Sequence, residues 1–169
     1  MTTHTSNFRN HWKLFALLLV SLIILCSSAV NAEEKNKSTV TVTVNGLKTD
    51  DGQIKIEVFD AEATWIKKSA YNFTCKIKDK KCICTMENIP YGDYAVFVYQ
   101  DKNSNDKLDL INKTLPAEPF GYSRIKKMVM GPAKWSDVKF IISSPKMEME
   151  VMVLEIPPSF LESMKQSEK

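Results

Sequence analysis

The sequence predicts a mainly β protein, an antiparallel β-sandwich of about seven strands with one short helix. Apolar and polar residues alternate in several short segments, such as TVTVTVNGL (Thr39 to Leu47) and IKIEVFD (Ile54 to Asp60), as in strands with one buried face. Turn-forming stretches such as TDDGQ separate these segments. Helix-forming residues without strand alternation fill one short stretch, AEATWIKKSA from Ala61, which we expect to lie over one end of a sheet.

Residues 1–32 have the pattern of a secretory signal peptide. The basic segment FRNHWK precedes an apolar run from Leu14 to Leu25, and the small residues VNA precede a predicted cleavage after Ala32. This run is shorter than the roughly 20 apolar residues that span a bilayer, so a retained membrane anchor is the weaker alternative. We expect no stable membrane insertion after cleavage. We expect an exported protein, periplasmic or secreted, with a flexible leader at residues 33–38, one domain at residues 39–156 and a C-terminal tail at residues 157–169.

The mature chain restricts the possible chemistry. It would have 137 residues, enough for one domain, with 21 basic and 20 acidic residues. Nucleic acid is not an expected partner, because phosphate binding needs a clustered surplus of positive charge. Both histidines, His4 and His11, lie in the signal segment, which excludes histidine-dependent nucleophilic catalysis and zinc sites with imidazole ligands. We therefore expect a protein that is not an enzyme.

The order of the predicted elements follows the alternating segments. The first two strands are expected to form a hairpin around TDDGQ, and two short strands flank the turn KDKK. Longer elements follow: an apolar strand from Tyr94 to Gln100, a loop from Asp101 to about Lys134, and final strands at Ser136 to Ile142 and Lys146 to Ile156. The loop exceeds the usual 4–6 residues or so, and such loops tend to be functional or internally packed.

Three cysteines lie in the segment FTCKIKDKKCICTM. If Ile77 faces Cys82 across the turn, Cys75 faces Cys84, and a directly opposed pair lies within disulfide range. We therefore predict a Cys75–Cys84 disulfide, formed in an oxidising compartment, with Cys82 as a free thiol. A shift of one residue in the turn would pair Cys82 in place of Cys84, and this alternative stays open.

Several blocks resemble those of a known family. Four segments, from about Val40 to Ile142, closely resemble successive blocks of the domain of unknown function 2141 family of exported bacterial proteins. The segments are VTVNGLKTDDGQIKIEVFD, IPYGDYAVFVYQDKNSNDKLD, LPAEPFGYS and GPAKWSDVKFII. The resemblance implies a small β-sandwich of the transthyretin-like or immunoglobulin-like kind and no established activity. Family members usually have glycine at the position of Asp106, and they do not typically carry the three cysteines.

The segment DKNSNDKLD at the start of the long loop has the spacing of a calcium-binding loop. The expected ligands are the side-chain oxygens of Asp101, Asn103 and Asn105, the carbonyl of Lys107, and Asp109 through a direct or water-mediated contact. The glycine expected at Asp106 and the bidentate glutamate expected at Asn112 are both missing, so the predicted affinity is weak, roughly 10⁻⁴–10⁻³ M. The same residues also form turns by capping their own backbone. Calcium is the one cofactor that the sequence suggests, and both interpretations stay open.

Other binding chemistries are weaker alternatives. Soft ligands for Cu(I) would suggest periplasmic copper handling: Cys82, Cys84, Met86, Met128, Met130, Met147, Met149 and Met152. Aromatic residues near predicted strand ends would stack on a sugar or a peptide: Trp65, Tyr91, Tyr94, Tyr99, Phe120, Tyr122 and Trp135. A carboxylate pair for glycoside hydrolysis would come from Asp101, Asp109 and Glu118.

These alternatives leave one preferred interpretation. We expect an exported, non-catalytic β-sandwich of the cell envelope, acting as a weak calcium-binding module or as a module that binds a ligand or a protein. The expected partner is an unidentified envelope protein or glycan, and the long loop would present the segment PAEPFGYS to it. A carbohydrate-active protein is the alternative function.

Overall fold

Two main sheets and a small hairpin contain the ten strands of the described residues. The computed structural model describes residues 36–129 and 131–167, so the predicted signal peptide lies outside them. The strands are β1 (Lys37–Asn45), β2 (Gln53–Phe59), β3 (Tyr71–Lys76), β4 (Cys82–Pro90), β5 (Gly92–Asp101), β6 (Leu110–Ile111), β7 (Leu115–Pro116), β8 (Phe120–Tyr122), β9 (Phe140–Ile142) and β10 (Lys146–Met152). A 3₁₀ helix spans Glu62–Thr64, and two α-helices span Trp135–Val138 (α1) and Pro158–Ser167 (α2).

The smaller main sheet has the strand order β10-β1-β4, and the larger has the order β3-β2-β5-β8. Strand β9 also belongs to the larger sheet, where it pairs with the beginning of β5, and β6 pairs with β7 to form the hairpin. All these pairs in the larger sheet and the hairpin are antiparallel, whereas β1 and β10 are parallel. The prediction of a mainly β protein with the architecture of a β-sandwich is confirmed.

The main core contains alternate residues from strands of both main sheets. In β1, Val40, Val42 and Val44 are fully buried, as the alternation of the TVTVTVNGL segment predicts. They belong to the same apolar cluster as Ile54, Ile56 and Val58 of β2. The two sheets therefore enclose one apolar layer, which is the main source of stability in such a fold.

Strand β5 is buried on both of its faces. Tyr94, Val96 and Val98 belong to the main core, whereas the intervening residues Phe97 and Tyr99 belong to a second apolar cluster with residues of β8 and α1. This double burial explains the continuous apolar run from Tyr94 to Tyr99, because a strand with both faces covered has no polar alternation. The larger sheet therefore has an apolar layer on each side of its central strand.

The predicted hairpin of the first two strands is wrong. Strand β1 pairs with β10 and β4, while β2 pairs with β3 and β5. Residues 46–52 connect the two main sheets, and Leu47 within this connection is buried in the main core. The alternating pattern identified the two strands correctly, but it did not show that they belong to different sheets. The connection passes from one sheet to the other and buries Leu47 between them.

The helices also differ from the single short helix that the sequence predicts. The predicted helix after Ala61 is a 3₁₀ turn, and α1 replaces the beginning of the strand predicted at residues 136–142. Trp135 and Val138 are both buried, because one helical turn places residues three apart on the same side. Helix α2 lies in the predicted tail and begins at Pro158, a residue favoured in the first helical turn. The predicted leader is also too long, since β1 begins at Lys37.

The Cys75–Cys84 disulfide is confirmed, with a Cα–Cα distance of 5.9 Å. A tight turn at Lys78 and Lys81 connects β3 to β4 and brings the two cysteines opposite each other. Because β3 and β4 belong to different main sheets, the disulfide links the two layers of the sandwich. Cys82 is a free thiol buried in the main core, and this burial raises its pKa to about 11.

Candidate ligand-binding site

The loop after β5 is organised around Asp101, whose side chain is fully buried. Its carboxylate accepts hydrogen bonds from Nε2 of Gln53 at 2.9 Å and from the backbone N–H groups of Asn105 at 3.0 Å and Asp106 at 2.8 Å. Burial acts to raise the pKa of Asp101, but these hydrogen bonds outweigh it and hold the pKa below its ordinary value. Asp101 therefore fixes the first turn of the loop as an ionised, buried acceptor.

The other predicted calcium ligands bond mainly to one another. The Nδ2 groups of Asn103 and Asn105 donate to the Asp109 carboxylate at 2.7 and 3.0 Å. The Oδ1 atoms of Asn103 and Asn105 accept the backbone N–H groups of Asn105 and Lys107 at 3.2 and 2.9 Å, as in Asx turns. Within the described ranges, no group of three or more acidic, cysteine or histidine side chains is arranged to hold a metal. Calcium binding stays a prediction.

Asp106 lies at the position where the family resemblance predicts glycine, and its φ of 63° lies in the left-handed region. Aspartate tolerates this conformation better than most residues. Its carboxylate accepts hydrogen bonds from Nζ of Lys55 at 2.8 Å and from Nε2 of Gln53 at 3.0 Å. The hydrogen bond and the charge of Lys55 lower the pKa of Asp106. The aspartate therefore preserves the turn and ties it to strand β2.

Glu118 closes the base of the same loop. Its side chain is buried, and its two carboxylate oxygens accept the backbone N–H groups of Lys102 at 2.7 Å and Asp109 at 3.1 Å. The N–H of Ala117 also donates to the carbonyl of Asp109 at 2.8 Å. Asp101 and Glu118 thus hold the two ends of the segment, so that its shape depends on two buried carboxylates.

An apolar cavity of about 540 Å³ lies beside this loop, over the face of the larger sheet that carries the second apolar cluster. Phe97 of β5 and Phe120 and Tyr122 of β8 form its floor. The walls come from segments that are distant in sequence: Ile66, Leu108, Leu110, Thr114, Leu115, Pro116, Met128, Val129, Gly131, Pro132, Ile156, Pro157 and Phe160. Among the lining residues that the structure describes, Thr114 and Tyr122 carry the only polar side-chain groups, and none of the side chains is charged.

The hydrogen-bonded loop and the apolar cavity are parts of one structure. Leu108 and Leu110 flank Asp109, whose backbone N–H is held by Glu118, and both leucines line the apolar cavity. The short strand β7 adds Leu115 and Pro116 to the same wall. The polar network therefore positions an apolar wall, and the loop predicted as functional is one side of a concave site.

The remaining predicted site residues lie mostly inside the protein. Trp65 packs against the rings of Phe59, Tyr122 and Trp135, with centroid distances of 4.8, 5.9 and 6.0 Å. Tyr94 and Tyr99 are buried in the two clusters, whereas Tyr91 is partly buried against the main core. These rings mainly fill the interior, and of the predicted aromatic residues Phe120 and Tyr122 line the apolar cavity.

The sulfur ligands proposed for copper belong largely to the main core. Cys84 is in the disulfide, while Cys82 and Met86 are buried. Met147 and Met149 are partly buried against the same core. Met128 lines the apolar cavity, Met152 is partly buried at the end of β10, and Met130 lies outside the described residues.

The three carboxylates considered for glycoside hydrolysis are likewise occupied. Asp101 and Glu118 hold backbone N–H groups, and Asp109 accepts the amides of Asn103 and Asn105.

Among the residues that the structure describes, no helix is both long enough and apolar enough to cross a membrane.

Two solved structures of the pilus-presented adhesin Spy0125 (Cpa) are similar to this chain over 72% and 70% of its length, and over 28% of the adhesin chain in each case. One is a cysteine-to-alanine variant, with 13% identity and a TM-score of 0.23, and the other is a second crystal form, with 12% identity and a TM-score of 0.22. No curated protein matches the chain. A family model matches residues 42–150, which confirms the predicted resemblance, and the chain therefore belongs to the DUF2141 family of uncharacterised proteins conserved in bacteria.

Proposed function

We propose that this protein is a non-catalytic binding module that holds an apolar ligand in the apolar cavity over β5 and β8. The observation that carries the proposal is the combination of size and lining. The volume of about 540 Å³ falls within the roughly 300–1,000 Å³ of small-molecule sites, and the side chains around it are almost all apolar. Such a lining favours a ligand that gains free energy by leaving water.

The lining also discriminates between the expected classes of ligand. A glycan would bury hydroxyl groups against the described lining side chains, of which only Thr114 and Tyr122 offer a polar partner, and unpaired buried hydroxyls are costly. An apolar ligand carries no such cost. The proposal therefore favours an apolar chain over the glycan that the sequence also suggested.

Two further observations support a binding role outside the cytoplasm. The Cys75–Cys84 disulfide is typical of proteins in oxidising compartments, in agreement with the predicted signal peptide. The sequence after His11 contains no histidine, and the carboxylates near the cavity in sequence already have partners: Glu118 holds backbone N–H groups, Asp109 accepts two asparagine amides and Glu155 pairs with two lysines. Binding without turnover is the function that uses these features best, in a protein that is periplasmic or secreted.

The test is the binding of a neutral fluorescent probe, N-phenylnaphthylamine, to the purified protein. Ile66 and Leu110 line the apolar cavity and are 40% and 48% exposed, so Ile66→Asp/Leu110→Asp adds two charges to the site without removing core residues. Ile83 and Ile141 are 65% and 63% exposed and are not in the lining. Ile83→Asp/Ile141→Asp is therefore the matched control.

We expect saturable probe fluorescence in the wild type and in the control, and binding at least about tenfold weaker in Ile66→Asp/Leu110→Asp, because charged side chains are unfavourable next to an apolar ligand. Thermal melting of each variant checks that the fold is retained. Absence of saturable binding by the wild type, or equal binding by all three proteins, would refute the proposal.

A further inference from the structure

We propose that the ligand is a single-chain anionic amphiphile, an alkyl chain that ends in a carboxylate. The chain would occupy the apolar cavity, and the carboxylate would lie at its rim near Lys113, Lys126 and Lys127. This inference rests on the proposed function, and it names the class of ligand that the site accepts. Three observations support it: the volume of the cavity, the lysines that adjoin its walls, and the hydrogen bonds and ion pairs of the neighbouring acidic residues.

The volume of the apolar cavity suits one alkyl chain. If each chain atom takes roughly 30 Å³, the share of a water molecule in the liquid, then about 540 Å³ accommodates on the order of 18 chain atoms. This is the size of one long alkyl chain with its head group. A membrane lipid with two chains would exceed the available space, so the proposal commits to a free single-chain acid.

Lysines adjoin two separate walls of the apolar cavity. Lys113 lies in the turn between β6 and β7, next to the lining residue Thr114. Lys126 and Lys127 directly precede the lining residue Met128. All three lysines are exposed, and none has an ion-pair partner among the described residues. Two walls of one apolar site therefore each carry unpaired positive charge next to the lining.

The acids next to the lining are, with one exception, already bonded within the fold. Asp106 pairs with Lys55, and Glu155 pairs with both Lys48 and Lys102. Asp109 accepts two asparagine amides, and the buried Glu118 holds two backbone N–H groups.

The exception is Glu162 of α2, which is exposed and lies two positions after the lining residue Phe160. Asp109 and Glu118 also keep their negative charges, because amide and backbone N–H donors are neutral, so three carboxylates adjoining the lining have no cationic partner. Seven exposed lysines within two positions of lining residues have no ion pair among the described residues either: Lys67, Lys68, Lys107, Lys113, Lys126, Lys127 and Lys134. The uncompensated charge adjoining the lining is therefore positive. Electrostatic complementarity favours an anionic head group there and disfavours a cationic one.

The experiment compares three ligands with the same alkyl chain: laurate, lauryl alcohol and lauryl trimethylammonium. Each competes with N-phenylnaphthylamine for the purified protein, below the concentration at which the ligand forms micelles. The test variant is Lys113→Gln/Lys126→Gln/Lys127→Gln. The control variant, Lys76→Gln/Lys78→Gln/Lys81→Gln, removes the same charge from exposed lysines of the disulfide region.

We expect laurate to bind more tightly than the alcohol and the alcohol more tightly than the cation. Each exposed lysine should contribute about 1.4- to fivefold, the range of exposed ion pairs, so the test variant should lose roughly three- to hundredfold in laurate affinity. Its affinity for the alcohol should not change, and the control variant should behave like the wild type. Added salt should reduce the preference for laurate, since it screens exposed charges.

The possible failures are distinguishable. If the neutral probe and lauryl alcohol bind but laurate has no advantage, or the test variant keeps that advantage, the inference is wrong while the proposed function stands. If neither neutral molecule binds, the proposed function itself fails. Sedimentation with phosphatidylglycerol vesicles separates the two sources of an anionic head. Lysine-dependent binding to vesicles without binding of free laurate would overturn the inference in favour of a membrane surface.

Discussion

The substitution Asp101→Asn tests whether one buried carboxylate holds the loop that forms a wall of the apolar cavity. Oδ2 of Asp101 accepts from Gln53 and from the N–H of Asp106, and Oδ1 accepts from the N–H of Asn105. Asparagine has almost the same shape but retains only one acceptor oxygen. At least one buried donor must then face an NH₂ group, and the remaining hydrogen bonds lose the charge of their acceptor.

The expected loss follows from these bonds. A buried donor without a partner costs about 1–3 kcal/mol, and a hydrogen bond to a charged group is worth about 1.5–3 kcal/mol. We therefore expect Asp101→Asn to lower the free energy of unfolding by about 2–3 kcal/mol at neutral pH. This is a large part of the roughly 5–15 kcal/mol that stabilises a typical domain, and the loop should also lose protection against hydrogen exchange.

The pH dependence provides the second half of the test. The folded pKa of Asp101 lies below its ordinary value, so the ionised carboxylate stabilises the wild type above the unfolded pKa of about 3.9, and this contribution disappears as pH falls through the folded pKa. The difference in the free energy of unfolding between the wild type and Asp101→Asn should be constant between about pH 5 and pH 7 and should shrink below about pH 4.

Urea denaturation across this pH range measures the difference, with Asp51→Asn as the control. Asp51 is an exposed aspartate of the neighbouring turn, and its side chain has no hydrogen-bond partner within the described ranges. A loss of less than about 0.5 kcal/mol at neutral pH, typical of a surface substitution, would refute the argument. A difference that does not shrink in acid would also refute it.

Three other predictions concern the disulfide, the free thiol and the calcium loop. Cys75→Ala/Cys84→Ala should lower the free energy of unfolding by about 2.6 kcal/mol, the loop-entropy value for a separation of 9 residues, and an unchanged urea midpoint would contradict this. Cys82 should react with iodoacetamide only after denaturation, because it is 1% exposed and its pKa is raised to about 11; alkylation of the native protein would show that β4 opens. Calcium at about 10 mM should stabilise the fold by about 1.4 kcal/mol if the Kd is about 1 mM. Magnesium in place of calcium should give no such gain, and neither should calcium with Asp109→Ala. If calcium does not shift the melting temperature of the wild type, the segment is an Asx turn without an ion.

The strands were predictable because their signals are local. Val40, Val42 and Val44 alternate with threonines in β1, and the disulfide partners Cys75 and Cys84 follow from the register of a short turn. The partners of β1 were not predictable in this way. Strand β10 pairs with β1 in parallel from the other end of the domain, and no local pattern records such a pairing.

The candidate site was predictable only in part. The length and the polar start of the loop after Asp101 marked it as functional, and the structure makes that loop one wall of the apolar cavity. The cavity itself was missed, because Phe97 and Phe160 have the same local signal as any buried aromatic residue. Glu118 was considered for catalysis, whereas its hydrogen bonds from the backbone N–H groups of Lys102 and Asp109 show a structural role. These bonds exist only in the folded loop, so the sequence alone did not indicate them.

Because β5 is buried on both faces, the floor and the walls of the apolar cavity differ in how well they tolerate substitutions. Phe97 belongs to the floor, while its neighbours Val96 and Val98 pack in the main core. A substitution that reshapes the floor must therefore disturb the packing of the whole domain, whereas Leu110 and Val129 in the walls do not belong to the main core. Relatives with the same fold should consequently diverge in ligand selectivity through their walls and retain a common floor.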